Sequence, residues 1–198
     1  RFTAPSDLAL DAAGNLYVCD DDVVRRVTPA GAVTTLVNTT GQYVPPEAPF
    51  GILKFETVEG VAVDAGDNLY VAYQTRYRLP HAVQQEGGST IRRFAPDGTM
   101  TVVAGAQTAI GDRDGNGIEA TFRQIRGLAV DQSRNLYVAD TGNHLIRRIS
   151  SAGVVATVAG LSAAPGCAEG VGPAARLHAP AAIALETTGT LYVASGAT

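Results

Sequence analysis

The chain has two cysteines, one lysine, three histidines and no apolar run longer than a handful of residues. Two cysteines, Cys19 and Cys167, cannot build a disulfide framework, although one bridge or two free thiols both fit the count. Runs such as Leu8–Leu10 and Leu69–Ala72 fall far short of the roughly 20 residues that a bilayer span requires, so no membrane insertion is expected. Fifteen basic against nineteen acidic side chains give a formal charge of -4. A phosphate backbone would meet no general excess of positive field, and nucleic acid is not expected as a partner. A helical hydrophobic period is absent as well. No charged-then-apolar leader follows Arg1, so any targeting segment is expected to have been removed or to lie outside these residues. What remains is an ordinary globular composition over 198 residues, 45% hydrophobic and 17% charged, with 22 glycines and 10 prolines.

That composition is arranged as a repeat. Asn-Leu-Tyr-Val occurs at Asn15–Val18, Asn68–Val71 and Asn135–Val138, with Thr190–Val193 as a fourth copy. The Leu positions, 16, 69, 136 and 191, are 53, 67 and 55 residues apart, and the extra length of the middle unit falls between Tyr73 and Ser89. Upstream of each copy stands a short apolar segment closed by an acid: Asp11, Asp64, Asp131 or Glu186. Each acid precedes the Asn or Thr by four residues, where a carboxylate can bond the amides of a turn. Downstream come the Arg pairs Arg25-Arg26, Arg92-Arg93 and Arg147-Arg148, then a Gly-containing turn and a further apolar segment. Four short strand-like segments per unit predict a four-stranded antiparallel sheet with two apolar faces, which must stack on its neighbours. The units run about 1–51, 52–123 with the insertion at 73–89, 124–178, and a partial 179–198.

Ala139-Asp140-Thr141-Gly142-Asn143-His144-Leu145-Ile146-Arg147-Arg148-Ile149 resembles the NHL repeat, including its Asn-His-Leu tripeptide. The resemblance implies an all-β fold, a β-propeller of NHL-type blades, of which about three and a half are present here. Typical propellers close into a ring of four to eight blades. The expectation is therefore a stretch of a longer polypeptide, six-bladed by resemblance, or a ring completed by further copies. Some NHL relatives are lyases or lactonase-like hydrolases with a channel metal, but their ligand histidines have no matching positions here. Others bind RNA on a basic end face, which the charge balance and single lysine disfavour.

Few residues suggest chemistry. Asp112, Asp114 and Asn116 alternate before a Gly as in the start of a calcium loop, yet position twelve is Arg123 and no helical pattern flanks the loop. The equivalent linker at 166–177 keeps the glycines but has Cys167 and Val171 in place of Asp112 and Asn116, which favours a structural linker with an apolar plug. Phe2, Phe55, Phe122 and Leu177 hold that plug position in the four units. His144 reads as a turn residue and Cys19 as a buried thiol at a small strand site. Adjacent strand residues face opposite ways, so each Arg pair is expected to split, one member pairing with an acid such as Asp20 or Asp140 or stacking on Tyr17 or Tyr137. The insertion is least like the family. Tyr73, Arg76, Tyr77, Arg78 and His81 there are read either as an aromatic and cationic contact surface, since loops on rigid scaffolds carry specificity, or as part of a longer hairpin that only covers the ring edge. The reading that follows is a non-catalytic recognition scaffold in a bacterial secreted or cell-surface protein, with a protein or glycan partner and no cofactor beyond the calcium candidate. Its alternatives are a metal-dependent lyase or lactonase-like hydrolase, and a structural subunit of an extracellular assembly.

Overall fold

The computed structural model describes residues 1–39, 53–78 and 84–196. The first sheet is β1 (Pro5–Leu10), β2 (Leu16–Asp20), β3 (Val23–Val27) and β4 (Val33–Asn38), hydrogen-bonded in chain order. The second repeats that order with β5 (Leu53–Val63), β6 (Leu69–Arg78), β7 (Gln84–Phe94) and β8 (Met100–Ala104). The third contains β10 (Ile125–Val130), β11 (Leu136–Asp140), β12 (Leu145–Ile149) and β13 (Val154–Gly160). Its outer edge gains β9 (Gly115–Asn116), a strand from the preceding linker that pairs with Val154 and Val155. The fourth is a hairpin of β14 (Ala182–Leu185) and β15 (Leu191–Ala194).

The first strand of each sheet is innermost: β5 lies against both β1 and β10, and β10 against β14. The sheets thus fan around an axis as propeller blades. Their period-2 alternation gives each blade two apolar faces. One layer, with Cys19, Val24, Val61, Val71 and Tyr73, fills the space between the first two blades. The next, with Ala72, Ile91, Phe122, Ile125 and Leu128, fills that between the second and third. Blades approach closely enough to require glycine: a Cβ on Gly60 would lie 2.9 Å from the Arg126 carbonyl oxygen, and one on Gly127 would lie 3.0 Å from that of Ala181. At the free face of the first blade, Leu8 and Leu10 are 63% and 65% exposed, whereas Val61 and Leu128, which match Leu8, are buried.

The turn acids behave as their spacing implies. Asp11, Asp64 and Asp131 accept the amides of Asn15, Asn68 and Asn135 at 2.8, 2.9 and 2.8 Å. The Asn side chains donate to the same carboxylates, and Tyr17 and Tyr70 hydroxyls donate to Asp11 and Asp64 at 3.1 Å. These bonds hold the Asp11 and Asp64 carboxyls below the usual range despite partial desolvation. Asp131→Ala removes two such bonds at a half-buried turn and is expected to cost about 1 kcal/mol, read from the urea midpoint.

Cys19 is buried and free, its thiol pushed up by desolvation, and Cys167 is exposed, so no bridge joins them. His144 occupies a left-handed turn at φ 60. Its ring stacks on His178 at 5.5 Å and accepts the Ala179 amide at Nδ1, a packing role between the last two blades.

Candidate functional site

The Arg pairs split across the sheet. In the third blade Arg147 is fully buried, donating to Asp140 at 2.9 Å and Asp114 at 2.6 Å with its guanidinium 5.1 Å from the Phe122 ring centroid. The other Asp140 oxygen accepts the Arg123 amide, so one carboxylate ties the incoming linker to the third strand. The first blade repeats the device with Asp20, Arg25, Phe2 and the amides of Thr3 and Ala4. Asp114, a calcium candidate by sequence, is thus engaged by a buried cation, and its carboxylate also accepts from the Thr157 amide and hydroxyl. Asp112 and Asn116 lie exposed beside it. Among the described residues no group of three or more His, Cys, Asp or Glu side chains is placed to hold a metal.

In the second blade Tyr73 stands where the other two have Asp20 and Asp140. The Arg92 guanidinium lies 4.1 Å from the Tyr73 ring centroid, and Glu56 from β5 supplies the missing carboxylate at 2.6 Å. Lys54 and Gln107 also donate to Glu56, and Arg92 and Lys54 hold its carboxyl below the usual range against burial.

This substitution marks the root of a three-stranded extension. Strands β5, β6 and β7 run on past the length of their counterparts, so the insertion is a flap of continued strand pairing from Leu53↔Arg78↔Gln84 inward, a longer hairpin joined by β5. The Tyr-Gln-Thr-Arg-Tyr-Arg stretch suits a strand, and Lys54–Thr57 gives it a partner. The flap rises from the end of the ring where each inner strand bulges, at Ser6, Glu59 and Arg126.

The pleat divides the expected contact residues. Tyr73 is a core residue, buried under Arg92, and is no part of a surface. Tyr77 points to the same side, half-buried, with its hydroxyl toward the Gln107 carbonyl at 3.4 Å. Arg76 and Arg78 occupy the opposite face, where Phe55, Arg76 and Glu86 are directly cross-strand. Phe55 is 48% exposed there, and Arg76 is braced by Glu59 at 3.3 Å. His81 lies outside the described residues. Sequence reasoning missed Phe55, read as a linker plug, and Glu86; the alternation of Leu53, Phe55 and Thr57 with polar residues was a strand signal for the first, while Gln84–Ser89 carries none for the second.

Taken together, stacked four-stranded sheets with an Asp–Arg tie between linker and third strand define a β-propeller of NHL type. A family model described as the teneurin NHL domain matches residues 1–167, and the chain belongs to that family. It is similar to mouse teneurin-3, at 23% identity over 96% of this chain, and to mouse teneurin-4, at 25% over 98%. The chain spans only 8% of the length of either relative. These relatives are vertebrate and lend no support to the bacterial source expected from the sequence. Among solved structures, the fold is similar to that of an auxiliary nutrient binding protein from Bacteroides ovatus, at TM-score 0.53 and 17% identity. It is likewise similar to that of a putative gluconolactonase, at 0.57 and 16%. This chain covers 56% of each, and identities this low show the fold alone.

Proposed function

We propose that the chain is a non-catalytic recognition segment of an extracytoplasmic protein, and that the flap is its protein-binding surface. The observation that carries this reading is the exposed Phe55 in one cross-strand row with Arg76 and Glu86, on a sheet extension that the rest of the repeat lacks. An aromatic anchor flanked by a guanidinium is the composition of an interface hot spot. The face offers apolar area and both charge signs, which suits a protein more than a glycan. No helix among the described residues is long and apolar enough to cross a membrane. The exposed Leu8 and Leu10 face is a separate surface, apolar enough to take a further blade of the same polypeptide or of a second copy.

The test exposes immobilised wild type and an Arg76→Glu/Arg78→Glu variant to the surface proteins of the source organism. The reading expects a protein retained by wild type and bound at least about tenfold more weakly by the variant. Equal retention by both, or retention by neither, overturns it.

A further inference from the structure

Beyond the flap, the opposite, turn-bearing end of the ring carries two equivalent clefts between blades. The first, between the first and second blades, has a volume of about 610 Å³ and is lined by Asp11, Tyr17, Arg26 and Asp67. The second, between the second and third, has about 570 Å³ and is lined by Tyr70, Arg93, Arg134 and Ser150. Tyr70, Arg93 and Arg134 hold the repeat positions of Tyr17, Arg26 and Asp67. In both clefts the Nε of the floor arginine, Arg26 or Arg93, is buried with no hydrogen-bond partner. A buried guanidinium N–H without an acceptor is costly, and two recurrences at one position indicate a site rather than an accident of packing.

The clefts differ most at the third position. Asp67 and Arg134 both adopt left-handed backbone, at φ 59 and 61, where the first and fourth units place Gly14 and Gly189. Asp tolerates that conformation through local hydrogen bonds, whereas Arg has no such reason to stand there. The first cleft therefore sets two carboxylates against one guanidinium. The second sets two guanidiniums together, and among the described residues neither Arg93 nor Arg134 enters an ion pair. Carboxylates around them are already engaged: Asp64 by Tyr70 and Asn68, Asp97 by the Thr99 amide, and Asp131 by Asn135. Both guanidiniums act on the Tyr70 hydroxyl, opposing the upward push of burial and Asp64.

We propose that the cleft between the second and third blades binds a small molecule bearing an oxyanion group, of sugar-acid or sugar-phosphate size, through Arg93 and Arg134. Two guanidiniums lining one cleft offer charge and donors for a carboxylate or phosphate, and the cleft volume accommodates a molecule of that size.

Calorimetric titration with glucuronate, glucose 6-phosphate and neutral glucose tests this. The expected result is saturable binding of one or both anions, which also tells carboxylate from phosphate, with no binding of glucose. Arg134→Gly is expected to keep or raise thermal stability, because glycine is at home in this backbone conformation, while weakening the anion at least about tenfold. Asp67→Arg is expected to add a second anion site in the first cleft. Absence of binding by both anions, glucose binding as well as they do, or full affinity in Arg134→Gly overturns the proposal.

Discussion

Arg147→Ala is expected to destabilise the chain by about 3–5 kcal/mol, the cost of leaving a buried carboxylate without its cation. Arg147 is wholly inaccessible and serves Asp140, Asp114 and the carbonyls of Thr121 and Arg113. Burial already pushes the Asp140 carboxyl up, to about 6, against the pull of Asn143, the Arg123 amide and Arg147. Without Arg147, Asp140 loses its counter-ion in the same buried place and takes up a proton. Because the linker amide of Arg123 rests on that carboxylate, the joint between second and third blades loosens with it. Urea unfolding measures the change, and a fall in Tm of roughly 10 °C accompanies it for a domain of this size. The double variant Arg147→Met/Asp140→Asn is expected to recover at least half of the loss, since it leaves no unpaired buried charge, the carboxylate of Asp114 being 46% exposed to water. Arg25→Ala is expected to cost less, because the Arg25 side chain is partly exposed and water can take its place beside Asp20.

Asp7→Asn is expected to stabilise the chain by about 2 kcal/mol at pH 7.5 and to have little effect below pH 4. Asp7 holds the position that the next two blades give to Gly60 and Gly127, where the following blade leaves no room for a side chain. Its carboxylate instead accepts the Val61 amide across the joint at 2.9 Å, and both it and Glu59 from β5 act on the Cys19 thiol of β2. Desolvation raises its pKa from 3.8 to about 6, against the weaker pull of the Val61 and Leu8 amides. The folded state therefore holds the proton more tightly than the unfolded chain. The penalty is fully present above about pH 6 and disappears as pH falls through that value toward 4. The difference between wild type and Asp7→Asn in urea midpoint across pH 4 to 7.5 isolates this group from the carboxylates whose pKa values are lowered. A difference that is flat with pH would show that Asp7 is ionised without cost.

The parts of the fold that repeat were legible because repetition converts a weak local pattern into a strong one. The turn acids, the split Arg pairs and the pairing of Asp20 and Asp140 with arginine each appear at fixed spacing in several units. The departures were harder. That Tyr73 had displaced an Asp was visible, but nothing in the spacing shows that Glu56, from another strand, supplies the lost carboxylate. Asp114 looked like a calcium ligand because its partner Arg147 lies 33 residues away and meets it only through the fold. The contact surface was drawn along one stretch of chain, while the pleat sends Tyr73 and Tyr77 to one side and Arg76 and Arg78 to the other. Its aromatic member is Phe55, from a segment that composition and motif had marked as linker.

Photo-cross-linking tests the central claim, that the flap makes the partner contact. A benzoylphenylalanine is placed at position 55, with a second at position 154, where the side chain on β13 of the third blade is exposed. The account predicts a discrete cross-linked protein partner from position 55, absent from position 154 and lost in the Arg76→Glu/Arg78→Glu background. Cross-linking from position 154 alone, or from neither position, would contradict it.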